Sequence, residues 1–338
     1  MPELPDEEFT DDEVVGAVAT AFDCDVRSHR PADEGTDKVS FVTLTDGREV
    51  VLKAPALVDP ARFRPEPRLM RLVGRETDVP VPEIFHIGEG GPVDGPWFAM
   101  ERRDGENWEN RAGGFPDEAH ERLCREAGRN LGQLYRIDHF DGIGMVGVRD
   151  DDLVIDVEDD DWRSGFEELV STRLDRMEEH RFADLIPACR DHLDSVLSHV
   201  PREVHPAPAH TDYRLGNLLV EPDAPADEPV TRAVLDWGNT YTAHGEFDLV
   251  STEDFLFGWT GLSDDRKATL REALHEGYSA TSGTTFDEAF WTRWRAYKFA
   301  TRLAGMEGVP YWYEDGSEEQ EAMGARHRQY LAENYGIE

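Results

Sequence analysis

The stretch HTDYRLGN, His210 to Asn217, decides how this chain is interpreted. Three apolar residues, LLV at 218–220, follow it directly and have the composition of a short buried strand. A second apolar stretch, AVL at 233–235, leads into Asp236. We predict that the two stretches pair as a hairpin, which would place Asn217 and Asp236 at neighbouring strand ends.

Asp212, Asn217 and Asp236 offer a carboxylate, a side-chain amide and a second carboxylate in that order. Phosphoryl transfer from ATP needs one carboxylate beside the acceptor hydroxyl, and two further oxygen ligands that hold Mg²⁺ against the phosphates. Mg²⁺ prefers oxygen ligands and keeps several waters, so this set suits it. We therefore predict that Asp212 is catalytic and that Asn217 and Asp236 bind the metal.

The pattern HxDxxxxN, followed by Asp-Trp at 236–237, resembles the aminoglycoside phosphotransferase family of small-molecule kinases. The resemblance implies an α+β, bilobal, protein-kinase-like fold with a small antiparallel-sheet N-terminal lobe and a larger, mainly helical C-terminal lobe. Residues 1–101 would be the nucleotide-binding lobe, and residues 102–338 the catalytic and acceptor-binding lobe. A lone HxD could be chance in a chain so rich in Asp, but the further matches at Asn217 and Asp236 argue against coincidence.

Lys53 ends the apolar run REVVLK, and Glu66 follows at the start of a predicted helix. In the resembling fold the lysine contacts the α and β phosphates, and the glutamate orients it through an ion pair. The chain has only four lysines, so a lysine at this position supports the assignment. Pro65 and Pro67 cannot both lie inside a regular helix, so we expect the helix to begin at or just after them.

An apolar strand at 96–100 is expected to run into the connection between the lobes. The resemblance implies that main-chain groups of Glu101 and Arg103 hydrogen-bond the adenine edge, with Met100 packed behind the base. The alternative is an ordinary strand and turn.

The hairpin that covers the phosphates is expected between Cys24 and Phe41, with its turn at residues 35–38. Gly35 is the only glycine available there, so the turn departs from the G-x-G-x-x-G loop of protein kinases. Any phosphate contact would have to use backbone N–H groups or hydroxyls.

Three further residues near the HxD pattern have predicted roles. We interpret His210 as a structural group that hydrogen-bonds the loop backbone. Arg214 matches the position where protein kinases place a lysine that faces the transferred phosphate, and the alternative for it is a surface salt bridge. Asp248 resembles a family carboxylate that fixes the loop.

Only a short segment separates Asp236 from Asp248, and it lacks the APE motif of protein kinases, which favours a small acceptor over a peptide. In the resembling family, helices of the C-terminal lobe build the acceptor cleft. Aromatic residues at helical spacing are more often core residues than ligand platforms. The candidates for this cleft are Trp162, Glu253, Asp254, Trp259, Trp294 and Tyr297.

Sequence periodicity gives a coarse map of the remaining elements. Thr10 and Glu13 predict a capping box ahead of a helix whose apolar face includes Val14, Val15 and Val18. Residues 144–161 are interpreted as an acidic, irregular connection. Helices are predicted at 116–137, 163–178, 182–199, 264–279, 285–305 and 317–334.

The chain has 35 basic and 72 acidic residues among 338, a formal charge of -37. This charge argues against nucleic acid as a partner. Such acidity with so few lysines is typical of a halophilic protein, because concentrated salt screens the self-repulsion. With no signal segment and no long apolar run, we expect a cytoplasmic protein with no membrane partner. The sequence does not indicate an oligomeric state.

The sequence therefore favours an ATP- and Mg²⁺-dependent phosphotransferase that acts on a hydroxyl of an aminoglycoside-like molecule or a metabolite. The alternative is a nucleotide-binding, pseudokinase-type scaffold that recognises a protein partner. Intact Lys53, Asp212, Asn217 and Asp236 argue against that alternative, whereas the glycine-poor turn favours it.

Overall fold

The computed structural model describes residues 8–32, 37–109, 114–238 and 240–338. In these parts the chain forms a small lobe on an antiparallel sheet and a larger, mainly helical lobe. This architecture confirms the predicted α+β, bilobal fold class. Of the predicted phosphate-covering turn, Gly35 and Thr36 lie outside the described residues.

The small lobe is a five-stranded sheet with the strand order β1-β2-β3-β5-β4, in which every neighbouring pair is antiparallel. Three helices accompany the sheet. The elements are β1 (Val26–Pro31), β2 (Asp37–Leu44), β3 (Glu49–Pro55), β4 (Ile84–Gly88), β5 (Trp97–Glu101), α1 (Asp11–Ala21), α2 (Pro60–Phe63) and α3 (Pro65–Glu76).

Helix α1 begins at the predicted capping box, in which the Thr10 side chain and the Glu13 side chain each accept a hydrogen bond from the other residue's backbone N–H. Val14 and Val18 are buried against the sheet. Val15 is 55% exposed, so its place on the apolar face was predicted wrongly. One position after Val14 lies about 100° around a helix, which turns its side chain away from the sheet.

Helix α3 begins at Pro65, and Pro67 lies within its first turn. Proline is tolerated there because the first N–H groups of a helix have no partner inside the helix. The two prolines therefore fix where the helix starts. Glu66, between them, is 3% exposed and is held in the first turn, as predicted.

The larger lobe contains seven helices and six short strands within the described residues. The helices are α4 (Asp117–Leu134), α5 (Trp162–Arg176), α6 (Ile186–Leu197), α7 (Gly245–Glu253), α8 (Asp264–Ser282), α9 (Glu288–Trp312) and α10 (Glu318–Tyr335). The strands are β6 (Ile143–Arg149), β7 (Asp152–Asp159), β8 (Ala207–Ala209), β9 (Leu218–Val220), β10 (Thr231–Val234) and β11 (Tyr241–Ala243).

The prediction of an irregular connection at 144–161 is wrong, because β6 and β7 form an antiparallel hairpin there. Asp150 and Asp151 both have positive φ, 53° and 72°, as a two-residue hairpin turn requires. Asp tolerates this conformation better than most side chains. The acidic residues of the hairpin suggested a loop, but the apolar residues at 153–155 and 157 of β7 pair with β6 and extend a four-stranded sheet of order β7-β6-β11-β8.

The described residues form three apolar clusters, of which one joins the two lobes. One packs α1 on the small sheet, one surrounds α5, α6 and α9, and the largest joins α3 and β5 of the small lobe to α4 and α8 of the large lobe. The shared cluster positions the Lys53 strand relative to the loop at 210–217. Among the described helices, none is both long enough and apolar enough to cross a bilayer.

Candidate active site

The predicted hairpin is present, since β9 and β10 pair antiparallel with Val234 opposite Leu218. At the next residue pair of the hairpin, the backbone N–H of Leu235 donates to the Asn217 carbonyl oxygen at 2.8 Å. Asn217 therefore lies opposite Leu235, and Asp236 is the next residue. The sheet ladder thus places the amide of Asn217 beside the carboxylate of Asp236.

The loop at 210–212 is held in place by the buried carboxylate of Asp248. Its two oxygens accept hydrogen bonds from the backbone N–H groups of His210 and Thr211, both at 2.8 Å. Burial raises the pKa of Asp248, whereas His210 and these two donors oppose that rise. The structural role predicted for Asp248 is confirmed.

His210 also has its predicted structural role. Its Nε2 lies 2.9 Å from the Leu235 carbonyl oxygen, which can only accept, so the imidazole donates there and ties the loop to the segment that carries Asp236. Thr211 and Asp236 have φ values of 59° and 60°, and they are two of four non-glycine residues with positive φ in the described chain. Such backbone strain persists where surrounding contacts enforce it, often at functional sites.

The carboxylate of Asp212 accepts hydrogen bonds from two side chains. The Asn217 Nδ2 donates to Oδ2 at 2.7 Å, and the Arg214 Nε donates to Oδ1 at 3.0 Å. Since the amide nitrogen of Asn217 faces Asp212, its Oδ1 is the atom that remains to bind a cation. Arg214 also forms an ion pair with Glu109, which is the salt bridge named as the alternative for it. Its role towards the transferred phosphate stays a prediction.

Lys53 lies at the centre of a cluster of carboxylates. Its Nζ is 2.7 and 2.9 Å from the two oxygens of Glu66, and 3.6 Å from Oδ1 of Asp236. Asp37 joins the cluster at 3.1 Å. Burial alone would lower the pKa of Lys53, but the three carboxylates together raise it above its ordinary value, so the ammonium remains charged. Burial raises the pKa of Glu66 against the effect of Lys53.

These groups share one cleft of about 370 Å³ between the lobes. Its walls include six residues of the predicted site: Lys53, Glu66, Glu101, Arg103, Asn217 and Asp236. Met100 also lines the cleft. Asp212 and Arg214 adjoin it through the hydrogen bonds to Asn217. The structure therefore brings the predicted site residues together.

Gly105 explains why the segment after β5 lies so close to β9. Its φ is 130°, and a Cβ atom there would lie 2.9 Å from the Leu219 Cβ. Glu106 then pairs with Val220 through two backbone hydrogen bonds of 2.9 and 3.0 Å. This docking closes one side of the cleft and fixes the segment between the lobes.

Sequence reasoning missed two charged residues of the site. Asp37 was assigned to the phosphate-covering turn, but its side chain contacts Lys53 from the start of β2. Glu109 pairs with Arg214 from the segment after β5. With 72 acidic residues in the chain, no local pattern distinguishes these two from solvated surface carboxylates.

The predicted acceptor candidates separate into two groups. Trp162 and Tyr297 are 1% and 0% exposed and hydrogen-bond each other at 2.8 Å in the core, so for these two candidates the alternative of a core residue is confirmed. Trp162 lies on α5 and Tyr297 on α9, and the two rings pack against each other where these helices meet. Asp254, Trp259 and Trp294 line a second cavity in the large lobe, and Glu253 is buried beneath it.

A magnesium ion fits the donor chemistry of the cleft. Within the described residues, no group of three or more His, Cys, Asp or Glu side chains is arranged to hold a metal ion. The Asp236 carboxylate is 51% exposed and lies beside the amide of Asn217 on the same cleft wall. One carboxylate and one amide oxygen, completed by phosphate oxygens and water, is a set that Mg²⁺ accepts.

Comparison with protein families gives one match that spans most of the chain. The model of the phosphotransferase enzyme family APH matches residues 28–298. No curated protein sequence matches the chain.

Solved structures resemble the whole chain at low sequence identity. A protein of Thermobifida fusca YX-ER1, provisionally assigned as a fructosamine-3-kinase, is 20% identical, with 95% of this chain and 97% of that chain covered and a TM-score of 0.61. Macrolide 2′-phosphotransferase MphH of Brachybacterium faecium is 19% identical, with 96% and 97% covered and a TM-score of 0.58. Spectinomycin phosphotransferase APH(9)-Ia, solved with ADP and spectinomycin, is 11% identical, with 94% and 93% covered and a TM-score of 0.58. At these identities the likeness concerns the fold.

Proposed function

We propose that this chain, which belongs to the APH phosphotransferase family and is therefore a phosphotransferase enzyme, transfers the γ-phosphoryl group of ATP to a hydroxyl of a small molecule. The observation that carries the proposal is the contact of Lys53 with both Glu66 and Asp236 in the same cleft as Asn217. The nucleotide would bind between the lobe at residues 1–101 and the lobe at residues 102–338.

Each side chain of the cleft has a role in this reaction. Lys53, oriented by Glu66, would hold the α and β phosphates, and Asn217 and Asp236 would hold Mg²⁺, which neutralises phosphate charge when bound. Main-chain groups of Glu101 and Arg103 would hydrogen-bond the base. Much of the rate would come from the positioning of the reactants and from charge stabilisation.

Asp212 would orient the acceptor hydroxyl and take its proton. The acceptor oxygen forms the new bond to the γ-phosphorus while the bond from that phosphorus to the bridging oxygen breaks, and ADP leaves. Arg214, 3.0 Å from the Asp212 carboxylate, would stabilise charge on the transferred group. The Asp212 carboxylate is 41% exposed, so an acceptor can reach it.

The acceptor is proposed to be a metabolite or an aminoglycoside-like molecule with a free hydroxyl. Neighbours of the fold include proteins named for phosphorylating macrolides and spectinomycin, and one was solved with GDP and kanamycin. Fold does not fix the substrate, so these names define a class of candidates to be screened.

The test is the substitution Asp212→Asn, with Asp227→Asn on the exposed β9–β10 loop as the matched control. A positioned general base contributes about 10² to 10⁴ in rate. We expect turnover of an acceptor found by screening to fall by at least about 10²-fold, with little change in ATP affinity. Near-normal turnover in Asp212→Asn would remove this residue from its role. A chain that binds ATP but turns over no acceptor in the panel would support the scaffold alternative.

A further inference from the structure

The second cavity of the large lobe has the opposite charge balance from the rest of the chain. It measures about 390 Å³ and lies among the end of α7, the start of α8, and helices α9 and α10. Five basic and three acidic residues line it, in a chain with twice as many acidic as basic residues. The basic residues are Lys267, Arg271, Lys298, Arg302 and Arg326.

Two of these cations are neutralised by buried carboxylates. Lys298 lies 3.1 Å from Glu253 and 2.5 Å from Asp254, and Arg271 lies 2.7 Å from Glu253. Glu253 also accepts a hydrogen bond from the Trp294 indole N–H at 3.0 Å. This network forms the floor of the cavity, and both of its carboxylates are paired with cations.

Arg302 is different, because it is only 3% exposed and no carboxylate of the described residues lies within ion-pair distance of it. Its guanidinium carbon stacks 3.7 Å from the centroid of the Tyr330 ring, and its Nε has no hydrogen-bond partner among those residues. The indole N–H of Trp259, on the same cavity wall, also lacks a partner there. Buried charges and polar groups normally have partners, so both groups lack something that a ligand could supply.

Lys267 and Arg326 add to this positive side. Lys267 donates to the Gly258 carbonyl oxygen at 3.0 Å, and burial followed by the charge of Arg302 lowers the pKa of Lys267. The remaining acidic residues of the lining, Asp264 and Glu333, are exposed and can be solvated. The interior of the cavity is therefore positive, because Asp254 is paired with Lys298 and the other two acidic residues of the lining are exposed.

We infer that this cavity binds an anionic small molecule, with its phosphate or carboxylate group held by Arg302, Arg326 and Lys267. A guanidinium and an ammonium are the donors that bind such oxyanions in proteins. The rings of Trp259, Trp294 and Tyr330 supply flat apolar walls, so the ligand is an organic anion. The volume is in the range of small-molecule sites.

The inference does not depend on the proposed reaction, and its test separates the two. Inorganic phosphate and citrate, as the phosphate and carboxylate probes, are titrated calorimetrically into the full chain at fixed KCl with EDTA present. The Lys53→Met variant serves as the background, because phosphate bound there is not bound beside Lys53. Comparison of the two probes identifies which oxyanion the cavity prefers.

We expect Arg302→Gln to weaken binding of the preferred probe at least about tenfold, as for a lost hydrogen bond to a charged group. Arg176→Gln removes an exposed guanidinium of the same lobe and should leave binding unchanged. If Arg302→Gln fails to fold, Arg326→Gln changes an exposed residue and should still weaken binding. Equal affinity in wild type and the cavity variants, or no binding of either probe, would overturn the inference.

Discussion

The cleft between the lobes and the cavity of the large lobe differ in the sign of their excess charge. In the cleft, one ammonium, that of Lys53, faces the carboxylates of Glu66, Asp37 and Asp236 within 3.6 Å. In the cavity, Lys267 contacts a backbone carbonyl and Arg302 an aromatic ring. The cleft has excess negative charge and the cavity excess positive charge.

The difference indicates what each site can bind. A triphosphate entering the cleft brings more negative charge to a place that already has an excess of it, so it must arrive with cations. An anion entering the cavity needs none. We therefore expect nucleotide binding to depend on Mg²⁺, and anion binding in the cavity to be independent of it.

The largest effect should come from Lys53→Met, which removes the ammonium at the centre of the cleft cluster. Loss of one positioned charge donor costs about 10² to 10³ in rate, and the three carboxylates left behind would repel the nucleotide further. Steady-state kinetics should show kcat/KM for ATP reduced by at least about 10²-fold.

The matched control for Lys53→Met is Arg75→Met, near the end of α3. Its side chain is 67% exposed and pairs only with the neighbouring Glu76 among the described residues. It loses the same charge and should keep normal kinetics. Equal losses in both variants would show that net charge, not the position of Lys53, determines activity.

The two regions also differ in how far the sequence predicted them. The cleft depends on residues at fixed spacing in one loop and hairpin, so His210, Asp212, Asn217 and Asp236 could be placed from their pattern. Lys53 was identified by its rarity and by the apolar strand that precedes it. Local sequence sufficed there because strand ends and a tight loop fix the geometry.

The basic side of the cavity and the extra hairpin were not predicted because their signals are not local. Arg302 and Tyr330 are on different helices, α9 and α10, and meet only through tertiary packing. In β7, acidic residues flank the short apolar run at 153–155 and obscured it as a strand signal. Asp37 was missed for the same reason. In a chain with so many carboxylates, a carboxylate of the site cannot be distinguished by sequence from those of the surface.

An effect of intermediate size is expected on the free energy of unfolding in acid. It should come from His327, whose ring lies beside Trp259 of the cavity. This side chain is 1% exposed, and burial, followed by the charges of Arg302 and Arg326, lowers its pKa to about 3. Because the pKa in the folded state is below that of the unfolded chain, about 6.5, the unfolded state binds the proton first. The stability contributed by neutral His327 is complete above pH 6.5 and is lost as the pH falls towards 3.

The measurement is the free energy of unfolding by denaturant between pH 6.5 and 5 at constant salt. His327 should account for a loss of about 2 kcal/mol over that interval. His327→Gln should therefore show a shallower pH dependence than wild type, by about one bound proton. His139→Gln, an exposed histidine, is the control. Identical slopes in wild type and His327→Gln would show that the pKa of His327 is not lowered by burial in the folded chain.

The smallest effect, and the most direct probe of the charge excess in the cleft, is expected for Asp37→Asn. Asp37 lies 3.1 Å from the Lys53 ammonium, where it competes with a phosphate for the same charge. Removing one unit charge at about 4 Å is worth about 1 kcal/mol in a water-like dielectric, which is about fivefold in affinity. KM for ATP should therefore fall by about that factor, with kcat little changed.

Asp46→Asn, in the turn at the other end of β2, is the matched control for Asp37→Asn and should leave KM unchanged. The sign of the change separates two roles for Asp37. A lower KM means that this carboxylate restrains nucleotide binding by holding Lys53. A higher KM would mean that Asp37 helps to bind the cations that accompany the triphosphate, and the cleft would then have three oxygen-bearing side chains in that role, where Asn217 and Asp236 are proposed as two. The sign of the change therefore shows whether the carboxylates around Lys53 oppose nucleotide binding or assist it by holding the metal ion that accompanies the nucleotide.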